Sequence, residues 1–132
     1  DGTLEIPSER VLQSFENGNL NLFDELKYGA VYLNKLLAPD AVAGDLFGGS
    51  VAISGDKIVV GSYGDDDNGS DSGSAYIFNT DGSYVTKITA PDGEADDNFG
   101  RSVSISGDKI VVGAIYDDDN GSNSGSAWVF QE

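Results

Sequence analysis

The chain has no cysteine and no histidine. That excludes disulfides, thiol redox chemistry, zinc sites built on Cys or His, Cys or His nucleophiles, imidazole general bases and haem ligation by His. Basic residues are scarce: 7 Lys and Arg stand against 23 Asp and Glu, for a net charge of −16. Such a surface repels phosphate backbones and anionic lipid, so neither nucleic acid binding nor membrane insertion is expected. Clustered carboxylates suit hard oxygen-ligated cations, calcium above all. They equally suit a very soluble surface in salty surroundings. No apolar run approaches the ~18 residues of a membrane span. A start at Asp1 instead of Met reads as a processed, secreted chain, with an extracellular or cell-surface location expected.

What is present is repetition. Residues 47–78 and 99–130, offset by 52, agree at 24 of 32 positions. Both copies contain Ser-Gly-Asp-Lys-Ile-Val-Val-Gly (54–61 and 106–113) and Asp-Asp-Asp-Asn-Gly-Ser (65–70 and 117–122). Repeats of this length mark solenoids, arrays and propellers, whose units expose faces that only a neighbour can cover.

Each copy reads as short strands separated by turn chemistry. Ser50–Ser54 alternates, with Val51 and Ile53 on one face. Gly55-Asp56 suits a two-residue type II′ hairpin, and Lys57–Gly61 is a continuous Ile-Val-Val run, as in a strand covered on both faces. A loop of Gly, Asp, Asn and Ser over 64–73 leads to a third strand, Ala75–Phe78. Asp81-Gly82 marks a turn before a fourth, Tyr84–Thr89. Four antiparallel strands per repeat is the blade of a β-propeller.

The offset also reaches backwards: Lys35 aligns with Lys87, and Ala38-Pro39-Asp40 with Ala90-Pro91-Asp92. Val31–Leu37 therefore takes the place of a fourth strand with no blade before it, while the second copy stops after its third strand at Gln131-Glu132. The expected fold is all-β: two four-stranded antiparallel propeller-type blades, an orphan outer strand on the N-terminal side, and a last blade lacking its fourth strand. Residues 1–30 form an extension with a short helix over 8–17 and a worn strand at Leu20, Leu22 and Phe23. The orphan strand with the first blade spans 31–98, and the incomplete blade 99–132.

These residues resemble the FG-GAP repeat, the blade unit of integrin α-subunit propellers and of many bacterial surface proteins. The Phe-Gly element is Phe47-Gly48 and Phe99-Gly100. The Gly-Ala-Pro element is Gly61-Ser62-Tyr63 and Gly113-Ala114-Ile115, without the proline. Gly73–Phe78 and Gly125–Phe130 are similar to the strand that follows in the bacterial versions. The resemblance implies a propeller blade. Its calcium loop does not carry over, because the connection between the first two strands is only Ser54-Gly55-Asp56-Lys57, too short to wrap a cation.

The acidic loop after the second strand is the candidate calcium site, with Asp65, Asp67 and Asp71 in one copy and Asp117, Asp119 and Asn123 in the other. Calcium needs 6–8 oxygens, and three adjacent aspartates repel one another unless a positive charge sits among them. The EF-hand spacing is not met, since glycine falls at position five and Tyr76 at position twelve. The alternative is a solvated loop of Asx-turns reversed by Asn-Gly. Asp92–Asp97 is a second candidate cation site, with a solvated loop favoured because its counterpart at 40–45 has lost most of its acids. Asn68 and Asn120 sit in Asn-Gly-Ser sequons, which suit glycosylation and tight turns alike.

No enzyme is expected. Glycoside hydrolysis by paired carboxylates needs an enclosing cleft, whereas these acids lie in Gly/Ser-rich loops. Propellers close with 4–8 blades and this chain supplies about two, leaving an open face and an open sheet edge. The leading expectation is head-to-tail self-assembly, as ring or filament, by strand complementation. The strand carrying Val31, Tyr32, Leu33, Lys35 and Leu36 would complete the sheet ending at Trp128, Val129 and Phe130 of the next copy. Calcium would rivet the loops. The alternative is a ligand-binding module for protein or glycan, cut from a larger adhesin or receptor.

Overall fold

In the computed structural model the structure describes residues 29–132. The chain divides into two units, residues 1–34 and Lys35–Glu132, and the second carries the seven strands found among the described residues. These are β1 (Ser50–Ser54), β2 (Lys57–Ser62), β3 (Ser74–Asn79), β4 (Tyr84–Ile88), β5 (Phe99–Ser106), β6 (Lys109–Ala114) and β7 (Ser126–Gln131). They form two antiparallel sheets in sequence order, β1-β2-β3-β4 and β5-β6-β7. The two propeller-type blades expected from the repeat are present, the second with three strands.

The turns follow their chemistry. Ser54 pairs with Lys57 across Gly55-Asp56, and Gly55 has φ of 58° while Asp56 does not turn positive, as a type II′ hairpin requires. Gly107 repeats this at φ 57°. The expected helix over 8–17 and strand at Leu20–Phe23 lie outside the described residues. Val31–Leu37 takes no regular secondary structure within the chain. The outer place of the first sheet is held by β4.

The blades stack face to face. Val59, Ala75 and Ile77 from the first meet Phe99, Ile110, Val112 and Ala114 from the second in one buried core. The opposite face of the first blade packs Val60, Tyr76 and Phe78 beneath Ala38, with Leu36 and Phe47 at its margin. The blades approach so closely that glycine is obligatory at the seam. A Cβ on Gly73, which has φ of 87°, would overlap Phe99 O, and one on Gly61 would overlap Gly100 O. There the Phe99 N–H donates to Ser72 O at 2.9 Å, the Asn98 N–H to Asp71 O at 3.0 Å and the Ser50 hydroxyl to Gly100 O at 2.7 Å. The Phe-Gly element is thus the point where one blade is pinned to the next.

Candidate functional site

The acidic loops are ordered by their own carboxylates. Asp65 Oδ1 accepts from the Asp67 N–H at 3.0 Å and Asp117 Oδ1 from the Asp119 N–H at 3.1 Å, both Asx-turns. Asp66 and Asp118 face the other way and accept from the N–H groups of Asp71 (2.8 Å) and Asn123 (2.6 Å). Of three adjacent aspartates, the middle one caps the loop and the outer two are left to converge elsewhere.

In the first blade they converge with Asp40. One oxygen from each of Asp40, Asp65 and Asp67 lies within 4.8 Å of the others. The Lys87 ammonium, brought by β4, sits among them at 2.7 Å from Asp40, 2.7 Å from Asp65 and 2.5 Å from Asp67. The Tyr76 hydroxyl donates to Asp40 at 2.5 Å and contacts Asp65 at 3.2 Å, and Lys87 Nζ lies 5.2 Å from the Tyr76 ring centre. Lys87 holds the Asp40 carboxyl below the ordinary carboxylate range, with help from Tyr76. Burial alone would raise Asp65, but the hydrogen bonds from Lys87 and Ser74 outweigh it and its pKa falls. Burial likewise works against the charged Lys87, and three carboxylates more than offset it, so its pKa rises. The cluster is a three-carboxylate cage filled by the protein's own cation.

The second blade repeats the cage without the cation. Asp92, Asp117 and Asp119, each 52 residues on from its counterpart, also bring their oxygens within 4.8 Å. No lysine reaches them among the described residues. The charges of Asp117 and then Asp92 push the Asp119 carboxyl up, and burial followed by Asp117 and Asp118 does the same to Asp97. Trp128 occupies the position of Tyr76, and its indole Nε1 is buried with no hydrogen-bond partner among the described residues. Both clusters have the donor set to hold a cation, and three carboxylates leave calcium's remaining ligands to carbonyls and water.

Of the proposed calcium ligands, Asp65 with Asp67 and Asp117 with Asp119 are brought together. Asp71 and Asn123 are not in these groups; with Asp96, Asn98 and Tyr116 they line an open depression. Asp40, Lys87 and Tyr76 are the members a reading of the loop alone does not find. The signal for them was the recurrence of Lys and Ala-Pro-Asp at the repeat offset. Asp92, read as solvated, is drawn into the second cage. Asn68 and Asn120 are exposed at the loop tips.

Beside the second cage, β7 is the last strand of its sheet. Trp128 and Phe130 turn towards the inter-blade core while Val129 faces outward and exposed. An apolar groove lined by Ile77, Val85, Ile110 and Phe130 runs along this edge. Of the N-terminal residues expected at the assembly contact, Tyr32, Leu33 and Lys35 are exposed and Val31 and Leu36 half-buried.

None of the curated proteins compared matches the chain. A family model, described as the FG-GAP repeat, matches residues 30–78 and 83–130. Both matches run through the Phe-Gly pins and the carboxylate loops just described, and they cover most of the sequence: the chain belongs to the FG-GAP repeat family.

Proposed function

We propose that this FG-GAP chain is a non-enzymatic structural or adhesive subunit of an extracellular surface, assembling head to tail through strand complementation. The observation that carries the reading is the exposed edge and outer face of the second blade. Its three-stranded sheet presents the β7 edge and a face bearing Val111, Ile115 and Val129, each at least 40% exposed. The residues equivalent to Val111 and Val129 in the first blade, Val59 and Ile77, are at most 3% exposed because the second blade covers them. Strand 31–37 of another copy would lie on β7, and its first blade would follow onto that face as the second blade follows β4. One contact thereby fills edge and face together. A head-to-tail contact closes into a ring when its rotation allows and otherwise grows into a filament. The carboxylate cage beside β7 would take a cation, calcium among the candidates.

Leu33→Pro takes an N–H from the incoming segment and fixes its backbone away from the strand that the proposal requires. Size-exclusion chromatography should show the unaltered chain as oligomers and the variant as monomer with an unchanged circular dichroism spectrum. An unaltered chain that stays monomeric and binds a glycan or protein ligand would instead support a module of a larger propeller.

A further inference from the structure

We infer that the depression at the seam, lined by Asp71, Asp96, Asn98, Tyr116 and Asn123, binds a neutral polyhydroxylated ligand, a sugar of an uncharged glycan. A break in the repeat singles it out. Residues 47–78 and 99–130 agree at 24 of 32 positions, yet each residue lining the depression differs from its equivalent 52 positions away. Asp96 stands in place of Gly44, Asn98 of Leu46 and Tyr116 of Gly64, while Asp71 and Asn123 exchange with each other. A further departure adjoins it: Arg101, in place of Gly49, donates to Asn98 Oδ1 at 3.3 Å and lies over the Tyr63 ring, where the second copy has Ile115.

The backbone beneath does not change with the side chains. Asp96 and Gly44 turn at φ of 68° and 90°, Asn98 and Leu46 at 57° and 59°, and Asp71 and Asn123 both at 54°. Loops that vary on a constant scaffold are where binding residues are usually carried. Both blades supply the seam, so the depression does not depend on the open edge at β7. The Asp96 N–H donates to Ser70 O at 2.7 Å, the Asn98 N–H and Nδ2 to Asp71 O at 3.0 Å each, and the Tyr116 N–H to Asp97 O at 3.4 Å.

The lining selects the ligand. A volume of about 480 Å³ lies in the range of small-molecule sites and far exceeds an ion. Two carboxylates repel sugar acids, sulfates and phosphates. Beside them stand two amides, which both donate and accept, as a sugar hydroxyl does. An ammonium or guanidinium only donates and would leave the amide donors unmatched. Asp71 and Asp96 belong to neither group of converging carboxylates that could hold a metal. Asn98 is 8% exposed, with its amide oxygen held by Arg101 and its nitrogen by Asp71 O, so this part of the site is fixed before a ligand arrives. The Tyr116 ring, 41% exposed, offers a flat apolar surface to the C–H face of a pyranose.

The test is saturation-transfer NMR of the full chain, in chelator, with the methyl glycosides of glucose, galactose, mannose, fucose and N-acetylglucosamine. Glucuronate and arginine amide serve as counter-probes. At least one neutral glycoside should receive saturation at its ring protons, and glucuronate none. Tyr116→Gly and Asp96→Gly each install the residue that the first blade carries at the same place. Each should weaken binding roughly tenfold or more, with an unchanged circular dichroism spectrum. Leu33→Pro should bind as the unaltered chain does, which separates this site from the proposed assembly. Transfer to none of the glycosides, equal transfer to glucuronate, or transfer that either glycine variant leaves intact would overturn the proposal. Transfer to arginine amide alone would give the depression to a cationic peptide and overturn it equally.

Discussion

Strands β2 and β6 begin with the same five residues, Lys-Ile-Val-Val-Gly, and live in different surroundings. In β2 the last four positions are all buried, whereas in β6 buried and more exposed positions alternate. The central valine makes the point: Val59 is fully buried and Val111 is 40% exposed. The third strands diverge in the same way, β3 being buried almost throughout and β7 on one face only. A continuous apolar run marks a strand meant to be covered on both sides. The first blade has that cover, and the second carries the same sequence without it. The same strands are covered on both faces in the first blade and on one in the second.

The cages differ too. Both have three carboxylates, and among the described residues only the first has the lysine of a fourth strand. The two blades are therefore one repeat in two settings, and a matched substitution tests each difference between them.

The largest effect belongs to the seam. Gly73→Ala would drive a Cβ into Phe99 O at positive φ, whereas Gly125, at the same repeat position with φ of 79°, meets nothing nearer than Ile115 O at 3.1 Å. Urea unfolding should show a loss of more than about 3 kcal/mol for Gly73→Ala, a steric change that no side chain can relieve. Gly125→Ala should lose about 1 kcal/mol, the backbone cost alone. Equal losses would mean that the blades do not meet as described.

Lys87→Gln comes next, converting the first cage into the second. The Lys87 and Asp65 side chains are 14% and 4% exposed, while Asp40 and Asp67 are about half-exposed. Solvent screening of those two brings the loss below that of a fully buried pair, to about 2 kcal/mol. Millimolar calcium should raise the melting temperature of the variant more than that of the unaltered chain. An equal response would show that the emptied cage takes no cation.

The smallest effect is the pH profile. Asp40 and Asp65 have folded pKa values lowered from 3.8, so their contribution is present above that value and is lost as pH falls through the folded values. Asp97 and Asp119 are raised, so the fold resists their charged forms at neutral pH and gains as they protonate above 3.8. Stability should therefore rise slightly as pH falls through the folded values of Asp97 and Asp119, and drop below 3.8 as it passes through those of Asp40 and Asp65. Asp119→Asn should flatten the rise and leave the acid limb unchanged. A steady fall from pH 7 would contradict the repulsion in the second cage.

Much of the fold was legible because local chemistry and repetition agreed. The period-two pattern of Ser50–Ser54 and the Gly55-Asp56 turn name their elements without help from distant residues. The repeat offset located Asp40 and Asp92, since Ala-Pro-Asp recurs. The cage itself was legible only in part. The aspartates stand in one loop, but their partners Asp40 and Lys87 lie some twenty residues to either side and meet only once β3 and β4 pair. Asp71 was drawn in by its place in the loop, yet the backbone turns there at φ of 54° and sends it elsewhere. The difference in burial between β2 and β6 was out of reach, because identical residues cannot reveal which copy has a neighbour. Val31–Leu37 carried a strand's pattern and takes no strand assignment.

The proposed assembly, in which another copy covers the edge and outer face of the second blade, makes the mass in solution depend on concentration. Sedimentation velocity over a hundredfold range of concentration, with calcium and with chelator, measures this directly. The account predicts ordered species at multiples of the 13.8 kDa chain mass, growing with concentration. A folded monomer of that mass at every concentration would contradict it.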